Sequence, residues 1–207
     1  MEHVTKWTPA HEMAYWKAGK DDFYYLDNLR QKSLIFNVDH FLHMHYGSDS
    51  FNELIAVDIG GGAFGGALRF TQGFGASILV DKLIAQYEEM GKLPKWVETM
   101  TADFEKIPLM DNSADVVFAW NVYDYARSQS HFIIGVDEAK RILKPGGLIF
   151  ASFPMRDEPR NGHPYCIKEP LVERQFHRFD ILKRGRVSRP LYVDDTLFIV
   201  AHKPHKD

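Results

Sequence analysis

The chain has 207 residues, enough for one domain with a sizeable core. Its 45% hydrophobic and 26% charged content is that of a globular protein, and a net charge of −3 with a pI of about 6.4 excludes a global basic footprint for nucleic acid or membrane. The single cysteine, Cys166, excludes an internal disulfide, and no apolar run approaches the roughly 20 residues that span a bilayer.

There is no basic-then-apolar leader, no internal repeat and no low-complexity tract, so the expectation is a cytoplasmic α/β domain. Residues 1–50 differ from the rest in being rich in aromatics and in carrying five histidines. Thr8-Pro9 reads as a helix start, and an apolar stripe from Leu26 to Leu42 predicts a longer helix over about Asp22 to Tyr46, ended by Gly47. These helices either cover one edge of a sheet or form a cap over a ligand cleft. His40, His43 and His45 lack the further ligands that a metal site needs, so no metal is expected.

Leu54-Ile55-Ala56-Val57 has the composition of a buried parallel strand, and Asp58 stands at its end. Gly60, Gly61, Gly62, Gly65 and Gly66 follow, and then a helical pattern. A strand that feeds a glycine-rich turn and a helix is how an α/β sheet admits a nucleotide-like ligand to its strand ends. Gly60-x-Gly62-x-x-Gly65 fits the fingerprint of a dinucleotide site. A second strand, Ser77 to Val80, ends in Asp81, positioned both to cap the next helix and to hold ribose hydroxyls.

A third strand is expected over Lys95 to Met100 and a fourth over Asp115 to Trp120. Between them lie Asp103, Phe104 and the polar turn Asp111-Asn112-Ser113. The fourth strand runs into Asn121-Val122-Tyr123-Asp124-Tyr125, where side chains can reach a ligand at the carboxyl edge. Asn121 is placed near the cofactor, while Tyr125 and Asp124 are candidates for proton transfer and Trp120 and Tyr123 for core packing. A helix over His131 to Leu143 then ends in Lys144-Pro145-Gly146-Gly147, which stops it and turns the chain into a fifth strand, Leu148 to Phe153.

The order and spacing of these pieces resembles class I S-adenosylmethionine (SAM) methyltransferases of the small-molecule type 11 group, over roughly Leu54 to Ala201. Asp58, Gly60 and Gly62 match the first motif of that family, whose third glycine is replaced here by Phe64 and displaced to Gly65 and Gly66. The Leu-Lys-Pro-Gly-Gly turn matches as well, and raises this family above a dinucleotide-binding oxidoreductase. The resemblance implies a Rossmann-like α/β fold with a seven-stranded, mostly parallel sheet closed by a C-terminal antiparallel strand pair. It divides the chain into an N-terminal helical cap, 1–50, and a SAM-binding domain, 51–203. It also implies that Gly60 and Gly62 pass under the methionine part of SAM, that Asp81 holds the ribose, and that Asp103 and Phe104 hold the adenine.

After the fifth strand, Pro154 to Tyr165 reads as a long loop, and His163 with Tyr125 are the candidates for a general base. Arg156 and Arg160 either hold an anion or pair with Asp157 and Glu158. A helix over Glu169 to Phe176 and two strands, Asp180 to Lys183 and Tyr192 to His202, complete the chain beside a basic cluster from Arg174 to Arg189. The expected activity is methyl transfer from SAM, leaving S-adenosylhomocysteine (SAH), to a small-molecule acceptor. An NAD-dependent oxidoreductase and a non-catalytic SAM-binding protein are the alternatives.

Overall fold

The computed structural model describes residues 36–47, 51–69, 71, 73–159, 163–187 and 195–205. The helix start at Thr8, the first part of the long helix, Arg160 and Arg189 lie outside the described residues.

Seven strands form one sheet: β1 (Ile55–Ile59), β2 (Ala76–Asp81), β3 (Glu98–Thr101), β4 (Ala114–Trp120), β5 (Leu143–Met155), β6 (Asp180–Val187) and β7 (Asp195–His202). Their order is β3-β2-β1-β4-β5-β7-β6. Pairing is parallel from β3 through β5, and β7 runs antiparallel to both β5 and β6. The chain reverses its direction across the sheet between β1 and β4, which opens a crevice at the carboxyl ends of those two strands.

Both faces of the central strands are buried, as continuous apolar runs require. Val57, Val117, Ile149 and Ile199 point to one face, against α3 (Gln129–Ile142) and α4 (Glu169–Phe176). Alternate residues, Ala56, Val116, Phe118, Phe150 and Val200, point to the other, against α1 (Val38–Tyr46) and the start of α2 (Ile84–Glu89). The Ser128 hydroxyl caps α3 by accepting the His131 N–H, and Lys140 and Arg141 sit in its last turn.

Lys144-Pro145-Gly146-Gly147 is a bulge within β5 rather than a turn ahead of it. Leu143 pairs with Ala114 and Leu148 with Val116, so the residues between are pushed out of register. Gly146, at φ 84°, donates its N–H to Lys203 at 2.7 Å, which fastens the bulge to the segment after β7.

Within the span of the predicted long helix, Asn37 has a left-handed φ of 55°, and α1 begins after it. Phe36 stacks on Trp120 with ring centroids 5.2 Å apart, at the carboxyl end of β4. Tyr46, at the other end of α1, donates its hydroxyl to the Asp115 carbonyl at 2.7 Å, and His45 donates Nε2–H to the Gly146 carbonyl at 2.6 Å. The described part of the N-terminal region therefore lies along a face of the sheet, antiparallel to β4.

Candidate functional site

The site is built on the glycine loop after β1. Asp58 falls within β1 rather than after it, is 1% exposed, and accepts the Ala67 N–H on Oδ2 at 2.5 Å. Its carboxylate holds the loop from beneath. Gly66, at φ 51°, lies over that carboxylate, and a Cβ there would stand 2.7 Å from Gly61 Cα. Instead of an α-helix, the loop continues as two short 3₁₀ turns, Gly62–Phe64 and Gly66–Arg69. Phe64, the departure from the family motif, turns its ring into a small cluster with Ala63, Leu83 and Tyr87. Lys92 and Arg69 lie over that ring at 5.0 and 5.9 Å.

Gly60 donates its N–H to the Val80 carbonyl at 2.7 Å, and a Cβ on Gly60 would meet Val122 Cβ at 2.8 Å. The loop thus passes between the ends of β2 and β4, where only a bare backbone fits. Asp81, at the end of β2, accepts the Gly62 N–H at 3.2 Å and the Leu83 N–H at 3.0 Å. Asp81 thus ties the glycine loop to the segment after β2, but it is not the predicted N-cap: α2 begins only at Ile84, with Leu83 as its N-cap.

Asp103 and Phe104 follow β3 at the same edge. The Phe104 ring is buried, stacked on His131 with centroids 4.7 Å apart and edge-on to Tyr123. The ring therefore belongs to the core, and the backbone amide is what Phe104 can offer to a nucleoside. His131 accepts the Arg127 N–H on Nδ1 at 3.1 Å, so its Nε2 carries the proton of the neutral ring; that nitrogen stands 2.9 Å from Oε2 of Glu105, at an angle poor for a hydrogen bond.

The segment beyond is clamped by α3. Arg141 donates to the carbonyls of Ile107 and Leu109 at 2.9 and 2.8 Å, and Glu138 accepts the Ile107 N–H at 2.7 Å. The hydrogen bond from Arg141 holds the Glu138 carboxyl below the usual carboxylate range, against the effect of its own burial.

At the end of β4, Asn121 takes a left-handed conformation, φ 59°. Its Oδ1 accepts from the Ser152 hydroxyl at 2.7 Å, and its N–H points to the Ser152 carbonyl at 3.2 Å. A strained non-glycine residue at a strand end, held by its neighbour strand, is a feature of ligand edges. The short turn Val122–Tyr125 that follows buries Tyr123 completely, and burial pushes its phenol far above the usual range.

Tyr125 and His163, the two predicted bases, are brought together with ring centroids 5.0 Å apart. Asp124 organises them. Arg156 donates to its two carboxylate oxygens at 2.5 Å each, with both side chains 9% exposed. His163 Nδ1 stands 2.9 Å from Asp124 Oδ2 and 3.2 Å from the Asp124 carbonyl. Lys82, next to Asp81, places Nζ 5.6 Å from the centre of the Tyr125 ring.

The buried Arg156–Asp124 pair is not evident in the sequence, where Asp157 and Glu158 are the nearer partners; Asp157 instead meets Lys168 at 3.5 Å. Within the C-terminal basic cluster, Arg184 pairs with Glu169 and Glu173, and Arg186 with Glu169. Of the N-terminal histidines, His40 packs on Phe41 and His43 on Phe51, ahead of β1.

Residues 57–151 match the family model described as "Methyltransferase domain". The matched stretch, which runs from β1 into β5 and includes the glycine loop, is that of a methyltransferase domain. That match favours methyl transfer over the dinucleotide reading and supports an enzyme of the transferase class. A comparison with curated proteins finds no match.

Among solved structures, the chain is similar to the 1,6-didemethyltoxoflavin-N1-methyltransferase of Burkholderia thailandensis, crystallised with 1,6-didemethyltoxoflavin and SAH. That match has 18% identity and a TM-score of 0.67, covering 95% of this chain and 87% of that one. It is similar to the N-methyltransferase NodS of Bradyrhizobium japonicum WM9 in complex with SAH, at 14% identity and a TM-score of 0.64, with 92% of each chain covered. It is also similar to the [4+2]-cyclase SpnF, at 18% identity and a TM-score of 0.59, with 83% of this chain and 81% of that one covered. At such identities the likeness is one of fold, and the cyclase illustrates that this fold serves more than one reaction.

The carboxyl edge offers groups of the kind such a cofactor would need: bare backbone in the glycine loop, the Asp81 carboxylate at the end of β2, and Asp103 with the Phe104 amide after β3. The group supplies an already activated methyl carbon, so the protein's own task is to align an acceptor and to accept a proton where one is released.

Proposed function

We propose that the protein transfers the methyl group of SAM to a small-molecule acceptor, on oxygen or nitrogen. Gly60, Gly62, Asp81, Asp103, Phe104 and Asn121 serve the cofactor, with Asp58 acting through the glycine loop that it holds. The acceptor lies at the ends of β4 and β5, beside Tyr125 and His163.

One observation carries this reading. Three segments distant in sequence, the end of β2 at Lys82, the end of β4 at Tyr125 and the loop bearing His163, converge over the crevice next to the glycine loop. His163 is favoured over Tyr125 as the base because a carboxylate orients its ring. The N-terminal region, residues 1–50, is proposed as a helical cap over the acceptor. The support is Phe36, which brings the chain to Trp120 at the strand ends.

The acidic pI favours a small molecule over nucleic acid as the acceptor, and a single cysteine fits a reducing, cytoplasmic setting. No helix among the described residues is long and apolar enough to cross a membrane. Formation of SAH from SAM in the presence of candidate acceptors tests the reading directly. SAM binding without methyl transfer to any acceptor would favour a non-catalytic role or a different reaction on the same fold.

A further inference from the structure

The surroundings of His163 point to the class of acceptor. Nδ1 faces two acceptors, the carboxylate and the carbonyl of Asp124, and so must itself be the donor. In the neutral ring this leaves the lone pair on Nε2, directed away from Asp124. The ring is partly open, with its side chain 22% exposed, and Tyr125 lies against it. A buried carboxylate that orients an imidazole from one side and leaves the other nitrogen basic is an arrangement for taking up a proton.

The same contacts argue against a cationic acceptor. An ammonium group desolvated here would need an anionic partner. Asp124 is the carboxylate at hand, and Arg156 and His163 already occupy its oxygens. Lys82, above the Tyr125 ring, adds a second positive charge to the rim. An imidazole is also poorly matched to aliphatic hydroxyls, which are very weak acids, and better matched to phenols, with reference values of about 10.

We infer that the acceptor is a neutral molecule with a weakly acidic proton on the atom to be methylated, a phenolic hydroxyl or a ring N–H, and that Nε2 of His163 takes that proton. The acceptor oxygen or nitrogen bonds to the methyl carbon as the carbon–sulfur bond breaks, and the electron pair stays on sulfur. The proton passes to Nε2, and the positive charge that leaves the sulfonium ends on the imidazolium, next to the Asp124 carboxylate. Arg156 is a positioning residue that fixes Asp124 for this purpose. The inference rests on the methyl-transfer reading above.

The test uses the full chain with SAM and two sets of probes. Catechol, hydroxyquinoline, benzimidazole and xanthine are the acidic set, and putrescine, ethanolamine and glycerol the amine and alcohol set. SAH is expected to form with one or more acidic probes and with none of the others. His163→Gln, on a loop and so tolerant of change, is expected to lower that turnover by about 100-fold or more while SAH affinity stays within about twofold. Proton–nitrogen spectra of the SAH-bound, histidine-labelled chain give a readout independent of turnover. His163 is expected to carry its proton on Nδ1, a signal lost or shifted in Asp124→Asn. Turnover of only the amines or alcohols, no turnover of any acidic probe by a chain that binds SAH, undiminished turnover in His163→Gln, or a His163 ring protonated on Nε2 alone would overturn the inference. Failure of the wild type to bind SAH would instead remove the methyl-transfer reading beneath it.

Discussion

Asp58 accepts the N–H of Ala67 at 2.5 Å from a position buried under the glycine loop. The contact spans nine residues and fixes where the loop turns back, so the acid at the head of the motif acts through the loop's shape. Asp58→Ala would leave a buried N–H without its acceptor, at a cost of about 1–3 kcal/mol. The expected outcome is a lower unfolding midpoint in urea together with a loss of SAH affinity of tenfold or more. Unchanged SAH affinity in the destabilised variant would separate Asp58 from the site.

Glycines with a left-handed φ are not equivalent in this chain. Gly66 combines a left-handed φ of 51° with a crowded Cβ position, whereas Gly91 has a φ of 66° with nothing near it. Gly91→Ala is expected to cost only the conformational term, about 1–2 kcal/mol. Gly66→Ala should cost more and should abolish SAH binding, because the added methyl group must displace Asp58 or Gly61. Thermal unfolding with and without SAH distinguishes the two.

Arg141 tests the clamp on the segment after β3. Arg141→Met removes donors to the Ile107 and Leu109 carbonyls and the partner of Glu138, and it should lower stability at pH 7 by about 1–3 kcal/mol and weaken SAH binding. The pH dependence has a definite sign. Because the folded-state value of Glu138 is depressed, chiefly by its hydrogen bond from Arg141, its contribution is complete above the unfolded value of about 4.3. It is lost as pH falls through the lower folded value. The stability gap between wild type and variant should therefore be constant from neutral pH down to about 5 and shrink below about 4. A gap that widens on acidification would contradict this role.

Much of this arrangement is legible in the sequence, because strand composition and turn chemistry are local. The apolar runs around Val57, Leu79, Val117 and Phe150 become adjacent parallel strands, and Glu169 to Phe176 forms the helix that its pattern predicts. Boundaries moved where tertiary pairing overrides local signals. Lys144 to Gly147 reads as a stop and a turn, but β5 begins before it, since Leu143 finds Ala114 as a partner. Asn37 takes a left-handed conformation within the predicted helix, and α1 begins only after it.

The place of Asp81 at the end of β2 is readable from the sequence, whereas the pairs that line the strand ends are not. Arg156 and Asp124 stand 32 residues apart and meet only because β4 and β5 are neighbours. Likewise, nothing local to Phe104 indicates that its ring will stack on His131 in the core.

The most direct measurement is calorimetric titration of the full chain with SAH, with Asp81→Ala and Asp103→Ala alongside. The expected result is micromolar binding by the wild type, weakened at least tenfold in each variant, with all three chains folded by circular dichroism. A folded wild type that ignores SAH, or that binds NAD in its place, would contradict the assignment of the glycine loop and the strand ends around it to SAM.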